Sequence, residues 1–433
     1  MSPEVVGLIG FVIMFALLAC GLQIGFAMAI VSFLGIGYII AFGPAVSKMG
    51  ISPFDTVTSY ELAVLPLFLL MANIIFASGL GKDLYRLAAK WLGHQPGGLA
   101  MATVGGCAGF AAVSASSLAT ALTMGLVALP EMKEYKYDPR LATGSIAAGG
   151  TIGILIPPSG VLILYGIITE TSIGRLFAGG MIPGILEAVF YMITIYILCW
   201  RNPLLGPRGP KTSLKEKVFA FKDCGEIIAL IILVLGGLII GWFTPTEAGA
   251  VGAFGAIVFS LLRRRLNWQN FKHAVEETVK LTGMVYVILI GAMLFKYFMA
   301  ATKIPFMLAD FVGGLGIPSM GIMVIIILIY VILGCFLDAA AMVMLTIPIF
   351  LPLVDTLGFN LIWFGIIVVR MAEIGLITPP IGLICYNIAA VSDGVPVQTV
   401  FRGIIPFLIA DILHVLLLLF VPGVVLFLPN LFY

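Results

Sequence analysis

Ile152-Gly-Ile-Leu-Ile-Pro-Pro-Ser-Gly160 is the stretch that decides the fold, and it recurs as Ile374-Gly-Leu-Ile-Thr-Pro-Pro-Ile-Gly382. The two copies lie 222 positions apart without a gap, each inside a long apolar stretch. Proline lacks an amide donor and clashes with the preceding helical turn, so adjacent prolines interrupt a helix and leave backbone groups unpaired. Lipid cannot satisfy such groups, so protein or a hydrated cavity must do so. Paired interruptions in matching halves of a chain are typical of the binding site of a transporter.

The composition indicates the class of protein. Of the 433 residues, 61% are hydrophobic and only 10% are charged, and the mean hydropathy is +1.17. No soluble fold hides that much apolar surface behind so few charges, so we expect an all-α integral membrane protein that crosses the bilayer several times. The net charge of +2 gives no reason to expect nucleic acid as a partner.

Several kinds of chemistry are excluded by the sequence. The six cysteines show no CxxC spacing and the three histidines share no ligand spacing, so we expect neither a disulfide framework nor a zinc site. The chain has no GxxxxGK[ST] sequence and therefore no P-loop for ATP hydrolysis. The N-terminus lacks a basic segment, so no cleavable signal peptide is expected. Ser159 has no GxSxG context and no histidine nearby in sequence, so an enzyme is not expected.

Apolar runs predict ten membrane spans, near residues 5–20, 24–42, 61–79, 141–168, 176–199, 227–242, 248–262, 281–299, 361–391 and 403–428. The runs 98–131 and 320–355 hold only 34 and 36 residues. Two complete spans with a turn need about 40 residues, so we expect each of these runs to form a re-entrant hairpin. A pair of short, tilted helices is the alternative. Polar residues lie near the midpoint of each run, at Ser114, Ser116 and Asp338.

Positive charges predict how the chain lies in the membrane. With these spans, eighteen Lys and Arg residues fall on one side and only Lys48, Arg175 and Lys303 fall on the other. Basic loops stay in the cytoplasm, so we expect both termini on the opposite side.

Each half of the chain then has five crossings and one hairpin, and an odd number of crossings makes the halves inverted repeats. The first repeat is predicted at 1–200 and the second at 227–433, joined by a basic cytoplasmic linker at 201–226. The charged segments 82–92 and 266–280 are predicted to be amphipathic helices at the cytoplasmic interface, with solvated loops as the alternative.

The hairpin tips and the helix breaks together predict an ion site in each half. Ser116 and Asp338 are also 222 positions apart, so equivalent tips stand beside equivalent breaks. Sodium binds carbonyl, hydroxyl and carboxylate oxygens, and a broken helix end offers carbonyls. The half-helix that follows a break begins with free amides, which suit a carboxylate of the substrate. Gly153 and Gly375 let each tip approach its break closely, because no side chain intervenes.

The other intramembrane charges have two interpretations. Asp338 is costly at a tip unless it is satisfied, so we expect it to be functional. Arg370 and Glu373 lie one turn apart, either as a structural ion pair or with Arg370 facing an anionic substrate. Lys296 is expected to extend to the interface. The sequence leaves open the roles of Glu61, Glu187, Glu373, Asp411 and His414.

Four motifs carry a resemblance to a known family: GTIGILIPPSG at 150–160, GLITPPIG at 375–382, GWFTPTEAGA at 241–250 and ELAVLPLF at 61–68. Over essentially its whole length, the chain resembles the large membrane subunit of tripartite ATP-independent periplasmic (TRAP) transporters. The resemblance implies a secondary transporter of the bacterial inner membrane, driven by sodium, with a scaffold and a transport domain that moves as an elevator, as in the ion-transporter superfamily. It also implies two partners, a periplasmic substrate-binding protein and a separate small four-helix membrane subunit.

The resemblance further implies positions for the ligands. One sodium would be held by Ser114, Ser116, Gly153, Ile156 and Pro158. A second would be held by Gly334, Gly375, Thr378 and Ile381. The substrate would lie near Ser116, Ser159 and Asp338, with Arg370 as a further candidate. Thr378 stands where the first break has Ile156, so a side-chain hydroxyl is available at only one of the two breaks.

These observations predict sodium-coupled import of a small organic anion, such as a dicarboxylate, a keto acid or a sialic acid. Sodium is the transported ion and no covalent cofactor is expected. The alternatives are a stand-alone sodium/dicarboxylate carrier of the same fold, which needs no binding protein, and a channel. The identity of the anion, the sodium stoichiometry and the oligomeric state cannot be predicted from the sequence.

Overall fold

The structure is a computed structural model of the chain and describes residues 1–114, 116–209, 211–314 and 316–433. The regular secondary structure of these residues is helical throughout, as predicted. The first half contains α1 (Pro3–Ala19), α2 (Ile24–Ile39), α3 (Phe42–Thr58), a 3-10 turn (Tyr60–Ala63), α4 (Val64–Ser78), α5 (Gly81–Leu92), α6 (Gly98–Ser114), α7 (Ser117–Glu134), α8 (Pro139–Leu155), α9 (Gly160–Thr169) and α10 (Ile173–Arg201).

The second half contains α11 (Leu214–Asp223), α12 (Gly225–Ile231), a π-helical turn (Ile232–Gly236), α13 (Gly237–Ile239), α14 (Pro245–Leu262), α15 (Trp268–Thr302), α16 (Ile304–Gly314), α17 (Ser319–Gly334), α18 (Ala339–Thr356), α19 (Leu361–Ile377), α20 (Leu383–Val391), α21 (Val397–Phe420) and α22 (Gly423–Phe432). Two helices of each half share their bounds at the sequence offset of 222. Helix α7 matches α18 and helix α8 matches α19 at both ends under this shift. That the halves are inverted relative to one another stays a prediction.

Both predicted helix breaks are present, between α8 and α9 and between α19 and α20. The last residues before the prolines are extended: Ile156 has φ −75° and ψ 124°, and Thr378 has φ −84° and ψ 134°. Proline disfavours the helical conformation in the residue before it, which ends each helix at that point. Both Pro-Pro peptide bonds are cis.

The helices that precede the breaks form the centre of the core. Every residue of α8 from Leu141 to Leu155 is buried, and every residue of α19 from Ile362 to Ile377 is buried. Helix α8 packs against α6, α7 and α21, while α19 packs against α17 and α18. Because neighbouring helices enclose these two helices, their ends fix the position of both breaks.

Within the described residues, seven helical segments are long and apolar enough to cross a membrane: Tyr60–Ser78, Pro139–Thr169, Ile173–Arg201, Pro245–Leu262, Trp268–Thr302, Ala339–Thr356 and Val397–Phe420. The chain is therefore a multi-pass membrane protein. The two runs predicted as hairpins contain α6 with α7 and α17 with α18, and that they are re-entrant stays a prediction. The count of ten crossings and the side on which each terminus lies stay predictions.

One predicted boundary between two helices is wrong. The charged segment 266–280 and the span 281–299 form a single helix, α15, which has 35 residues and is about 52 Å long. Its charges form pairs at helical spacing, Lys272 with Glu276 at 3.7 Å and Lys280 with Glu277 at 2.7 Å. Such pairs support a continuous helix, so the chain does not turn where the charges end.

Three other boundaries differ from those predicted. The span 403–428 is divided, because α21 ends at Phe420 and a separate short helix begins at Gly423, directly after Pro422. The run 24–42 is followed by α3, a helix that was not predicted. The linker 201–226 contains α11, whose first turn is closed by a capping box between Ser213 and Glu216.

Candidate functional site

The two hairpin tips border one cavity of about 250 Å³. Its lining contains five pairs of residues that are 222 positions apart: Ser116 with Asp338, Ser117 with Ala339, Leu118 with Ala340, Ile154 with Leu376, and Val161 with Leu383. Leu65 and Leu69 of α4 and Val285 of α15 form the facing wall. The cavity is thus built from equivalent parts of both halves, and its wall is apolar apart from the tip residues.

Each tip residue caps the helix that follows it. The Ser116 hydroxyl accepts a hydrogen bond from the Ala119 amide at 3.4 Å, and the Asp338 carboxylate accepts one from the Ala341 amide at 2.9 Å. Helices α7 and α18 therefore begin at the cavity, where their first amides and the positive ends of their dipoles favour an anionic group. Ala115, between Ser114 and Ser116, lies outside the described residues.

The first predicted sodium site contains three oxygens close together at the tip. The Ser114 hydroxyl donates to the Ser116 carbonyl at 2.9 Å and lies 2.8 Å from the Thr120 hydroxyl, which donates to the same carbonyl at 2.8 Å. A Cβ on Gly153 would lie 3.0 Å from the Thr120 hydroxyl and 3.1 Å from the Ser116 carbonyl. The predicted close approach of Gly153 to the tip is therefore present. The sequence analysis did not predict Thr120 as part of this site. Its position four residues after Ser116, one helical turn further along α7, could have indicated it.

The remaining residues of the first break are buried. Ile156 and Pro158 have little exposed surface and lie where α8 ends. Ser159 is fully buried, and its hydroxyl accepts a hydrogen bond from the Leu162 amide at 3.2 Å, so it caps α9. This capping contact places the Ser159 side chain at the start of α9, while the cavity is lined by its neighbour Gly160.

The second predicted sodium site shows the same close approach between two backbones. A Cβ on Gly334 would lie 2.9 Å from the Gly375 Cα, so the end of α17 touches α19 without space for a side chain. The Thr378 hydroxyl donates to the Ile374 carbonyl at 2.6 Å and stands at the break itself. Ile381 is half-buried at the far side of the break.

The surroundings of the two breaks differ. Pro157 and Pro158 are buried, whereas Pro379 and Pro380 are exposed. At the second break the Cys335 thiol lies 3.5 Å from the Pro379 carbonyl, which links the tip of the second hairpin to the break. Cys335 was not singled out in the sequence.

The structure places Arg370 in a buried cluster of charges. Its guanidinium contacts Glu187 at 2.7 Å, Glu373 at 3.2 Å and also Asp411, and all four side chains are fully buried. Tyr191 donates to Asp411 at 2.6 Å. Arg370 therefore forms an ion pair with Glu373, which was one of its two predicted roles. It also pairs with Glu187 and Asp411, which lie 183 and 41 positions away in sequence.

The sequence of this chain is similar to a known family and to individual members of it. The family model of "Tripartite ATP-independent periplasmic transporter, DctM component" matches residues 11–424. The C4-dicarboxylate TRAP transporter large permease protein DctM of Pseudomonas aeruginosa is 36% identical over 394 residues, which are 90% of this chain and 92% of that protein. The sialic acid TRAP transporter large permease protein SiaM of Vibrio cholerae is 29% identical and covers 96% of each chain.

The fold is also found in a solved structure. The YdaH transporter of Alcanivorax borkumensis superposes with a TM-score of 0.60 over 87% of each chain, at 16% sequence identity. This likeness concerns the fold alone. The match to the family model covers almost the whole sequence, so the chain is a membrane transporter component and not an enzyme, and it belongs to the family of the DctM component of tripartite ATP-independent periplasmic transporters.

Proposed function

We propose that this protein imports a small organic anion by sodium-coupled secondary transport across the bacterial inner membrane. The observation that carries the proposal is the cavity between Ser116 and Asp338, because each of these tips stands beside a helix break. The names of its relatives, which specify C4-dicarboxylate and sialic acid, support a carboxylate as the substrate.

In this proposal the sodium ions are held at the two breaks. Sodium takes five or six oxygens in a compact shell, as other hard cations do. At the first break the hydroxyls of Ser114, Ser116 and Thr120 would join carbonyls near Gly153, Ile156 and Pro158. At the second break the Thr378 hydroxyl would join carbonyls near Gly334, Gly375 and Ile381. Both ions would therefore lie beside the cavity, where they attract an anion.

The substrate is proposed to lie in the cavity between the first turns of α7 and α18. Free amides at these two helix starts suit its carboxylate. A volume of about 250 Å³ fits a small molecule and excludes a peptide. The Asp338 carboxylate repels a bare anion. Its position in the wall therefore favours a substrate that also carries a hydroxyl or another hydrogen-bond donor, or one that binds together with sodium.

Transport is proposed to follow an elevator mechanism in which the hairpins and broken helices move against α4 and α15. The apolar wall formed by Leu65, Leu69 and Val285 offers a surface without directional hydrogen bonds, which suits sliding. One polar contact crosses from α15 to the end of α9: the Lys296 ammonium donates to the Ile168 carbonyl at 3.1 Å and to Glu170 at 3.2 Å. This contact would hold one end position of the movement.

Membrane potential makes the coupling effective. One charge that moves through 100 mV yields about 2.3 kcal/mol. Two sodium ions with a monoanion carry one net positive charge, so voltage alone supports roughly 50-fold accumulation, since about 1.4 kcal/mol is tenfold. With a dianion, a third sodium would be needed for voltage to contribute.

The partners follow from the word tripartite in the family description, and they are a periplasmic binding protein that delivers the anion and a small membrane subunit. The test uses proteoliposomes that contain this chain with both partners and radioactive candidate anions. We expect uptake that needs an inward sodium gradient and rises with an inside-negative potential. Uptake that is unchanged when potassium replaces sodium refutes the coupling.

The same vesicles separate the stand-alone carrier from the tripartite transporter. Omission of the binding protein should abolish uptake in the tripartite case and leave it intact for a stand-alone sodium/dicarboxylate carrier. Saturable exchange of labelled for unlabelled substrate separates either of these from a channel.

A further inference from the structure

The buried cluster around Arg370 contains two carboxylates that are only half satisfied. Glu187 Oε1 accepts from the Arg370 guanidinium at 2.7 Å and from the Thr151 hydroxyl at 3.1 Å. Asp411 Oδ1 accepts from the guanidinium and from the Tyr191 hydroxyl. The second oxygens, Glu187 Oε2 and Asp411 Oδ2, are buried and have no hydrogen-bond partner among the described residues.

The charges of the cluster do not balance. Glu373 has both oxygens paired, one with the Ile154 amide at 3.2 Å and one with Arg370 at 3.2 Å, so it matches the single positive charge. Glu187 and Asp411 then add two negative charges at a place where every side chain is fully buried. A buried charge is costly unless it is paired, and an ionised oxygen that faces no donor is the costliest arrangement.

The surrounding helices offer no second fixed positive charge in the part of the chain that is described. Helix α8 contributes the hydroxyl of Thr151, α10 contributes Tyr191, and α19 contributes Arg370 and Glu373. Helix α21 adds His414, one turn after Asp411, whose ring packs against Phe190 with the ring centroids 5.7 Å apart. The described residues also include no group of three His, Cys, Asp or Glu arranged to hold a metal ion.

We propose that Glu187 and Asp411 form a proton-binding site, and that at least one of them keeps a proton taken from the solvent throughout transport. Protonation converts a carboxylate into a neutral acid and brings the cluster towards electrical neutrality. Sodium does not fit, because the Arg370 guanidinium already contacts one oxygen of each acid and would repel a second cation held beside it. The proton is a resident of the site and is not transported, since both side chains are fully enclosed.

The resident proton has a structural consequence. Glu187 lies on α10 in the first half of the chain, whereas Arg370 and Asp411 lie on α19 and α21 in the second half. Arg370 can hold these three helices together only if the acids do not repel one another, because like charges in a buried site disfavour each other. The proton thus allows a single guanidinium to bind acids from both halves.

The direct test is the infrared spectrum of the purified chain with its membrane partner, recorded in heavy water at neutral pH. A protonated carboxyl group has a carbonyl stretch that a carboxylate lacks. We expect such a band in the wild-type protein and expect Glu187→Gln and Asp411→Asn each to weaken or remove it. Glu276→Gln, an exposed and paired glutamate on α15, serves as the control and should leave the band unchanged.

Two further measurements separate this proposal from its rivals. Replacement of choline chloride by sodium chloride should not change the band; a loss of the band on sodium addition would make the site a cation site. A pH gradient in proteoliposomes should not drive uptake; uptake driven by protons alone would make the proton a transported ion. Either result, or a wild-type spectrum whose carbonyl bands survive both substitutions, overturns the proposal.

Discussion

The hydroxyl of Thr378 gives the sharpest test of the proposed ion sites. It stands at the second break, where it donates to the Ile374 carbonyl at 2.6 Å and keeps its lone pairs free for a cation. Thr378→Val preserves the β-branched stiffness and nearly the shape of the side chain, and it replaces the hydroxyl by a methyl group that cannot bind a cation. The first break has Ile156 at this position, so the substitution makes the two breaks alike.

The expected magnitude follows from two separate losses. The helix loses one neutral hydrogen bond, which costs about 0.5–1.5 kcal/mol of stability. The cation loses one ligand, and a contact from a hydroxyl to a charged group is worth about 1.5–3 kcal/mol. Since about 1.4 kcal/mol is tenfold, the sodium concentration for half-maximal uptake should rise about 10- to 150-fold.

A matched control separates these two losses. Thr194 on α10 makes the same kind of bond, from its hydroxyl to the Phe190 carbonyl at 2.8 Å, but it lies away from both breaks. Thr194→Val should lower the melting temperature by a similar amount and leave the sodium dependence of uptake unchanged. Initial rates in proteoliposomes across a sodium series measure both variants. An unchanged sodium requirement in Thr378→Val, or an equal shift in the control, would refute the assignment.

Three further outcomes test the site. Ser116→Ala should also raise the sodium concentration needed for half-maximal uptake, measured in the same series, and an unchanged value speaks against the first site. Asp338→Asn should abolish most uptake and leave the folded complex intact on size-exclusion chromatography, because asparagine caps α18 as well as aspartate does; full uptake would show that the tip is structural. Gly375→Ala should abolish uptake and lower the melting temperature, because its methyl group would overlap the backbone of Gly334. Gly283→Ala on α15, where a Cβ meets open space, should instead raise the melting temperature slightly, and equal effects of the two substitutions would contradict this reasoning.

Local sequence predicted those parts of the fold that depend on local stereochemistry. The two helix breaks follow from the Pro-Pro pairs, since proline alone determines where the preceding helix ends. The start of α14 is also determined by its own residues, because Thr244 caps the helix and Glu247 closes a capping box with it. The sequence also predicted that the second tip approaches its break closely at Gly375, where it meets Gly334, since only glycine allows such contact.

Contacts between helices that are distant in sequence could not be predicted in this way. Arg370 was recognised with Glu373, three positions away, but its partners Glu187 and Asp411 lie on other helices. No periodicity in the sequence records which faces of α10, α19 and α21 meet. The continuity of α15 was missed for a related reason, because the change from charged to apolar residues marks a change of surroundings and not the end of a helix.

Residues that are 222 positions apart in the two halves have a similar backbone but different surroundings. The hairpin tips with their helix caps and the helix breaks recur at equivalent positions in both halves. Backbone carbonyls and amides without a helical partner therefore also occur at equivalent positions. The side chains then make the halves unequal: Pro157 and Pro158 are enclosed, whereas Pro379 and Pro380 are exposed beside Thr378. An ion at an enclosed break requires movement of the core before it can leave, while an ion at an exposed break requires only movement of the hairpin tip. In the proposed mechanism, a repeated backbone with unequal packing would therefore supply two similar ion sites that release their ions by different movements.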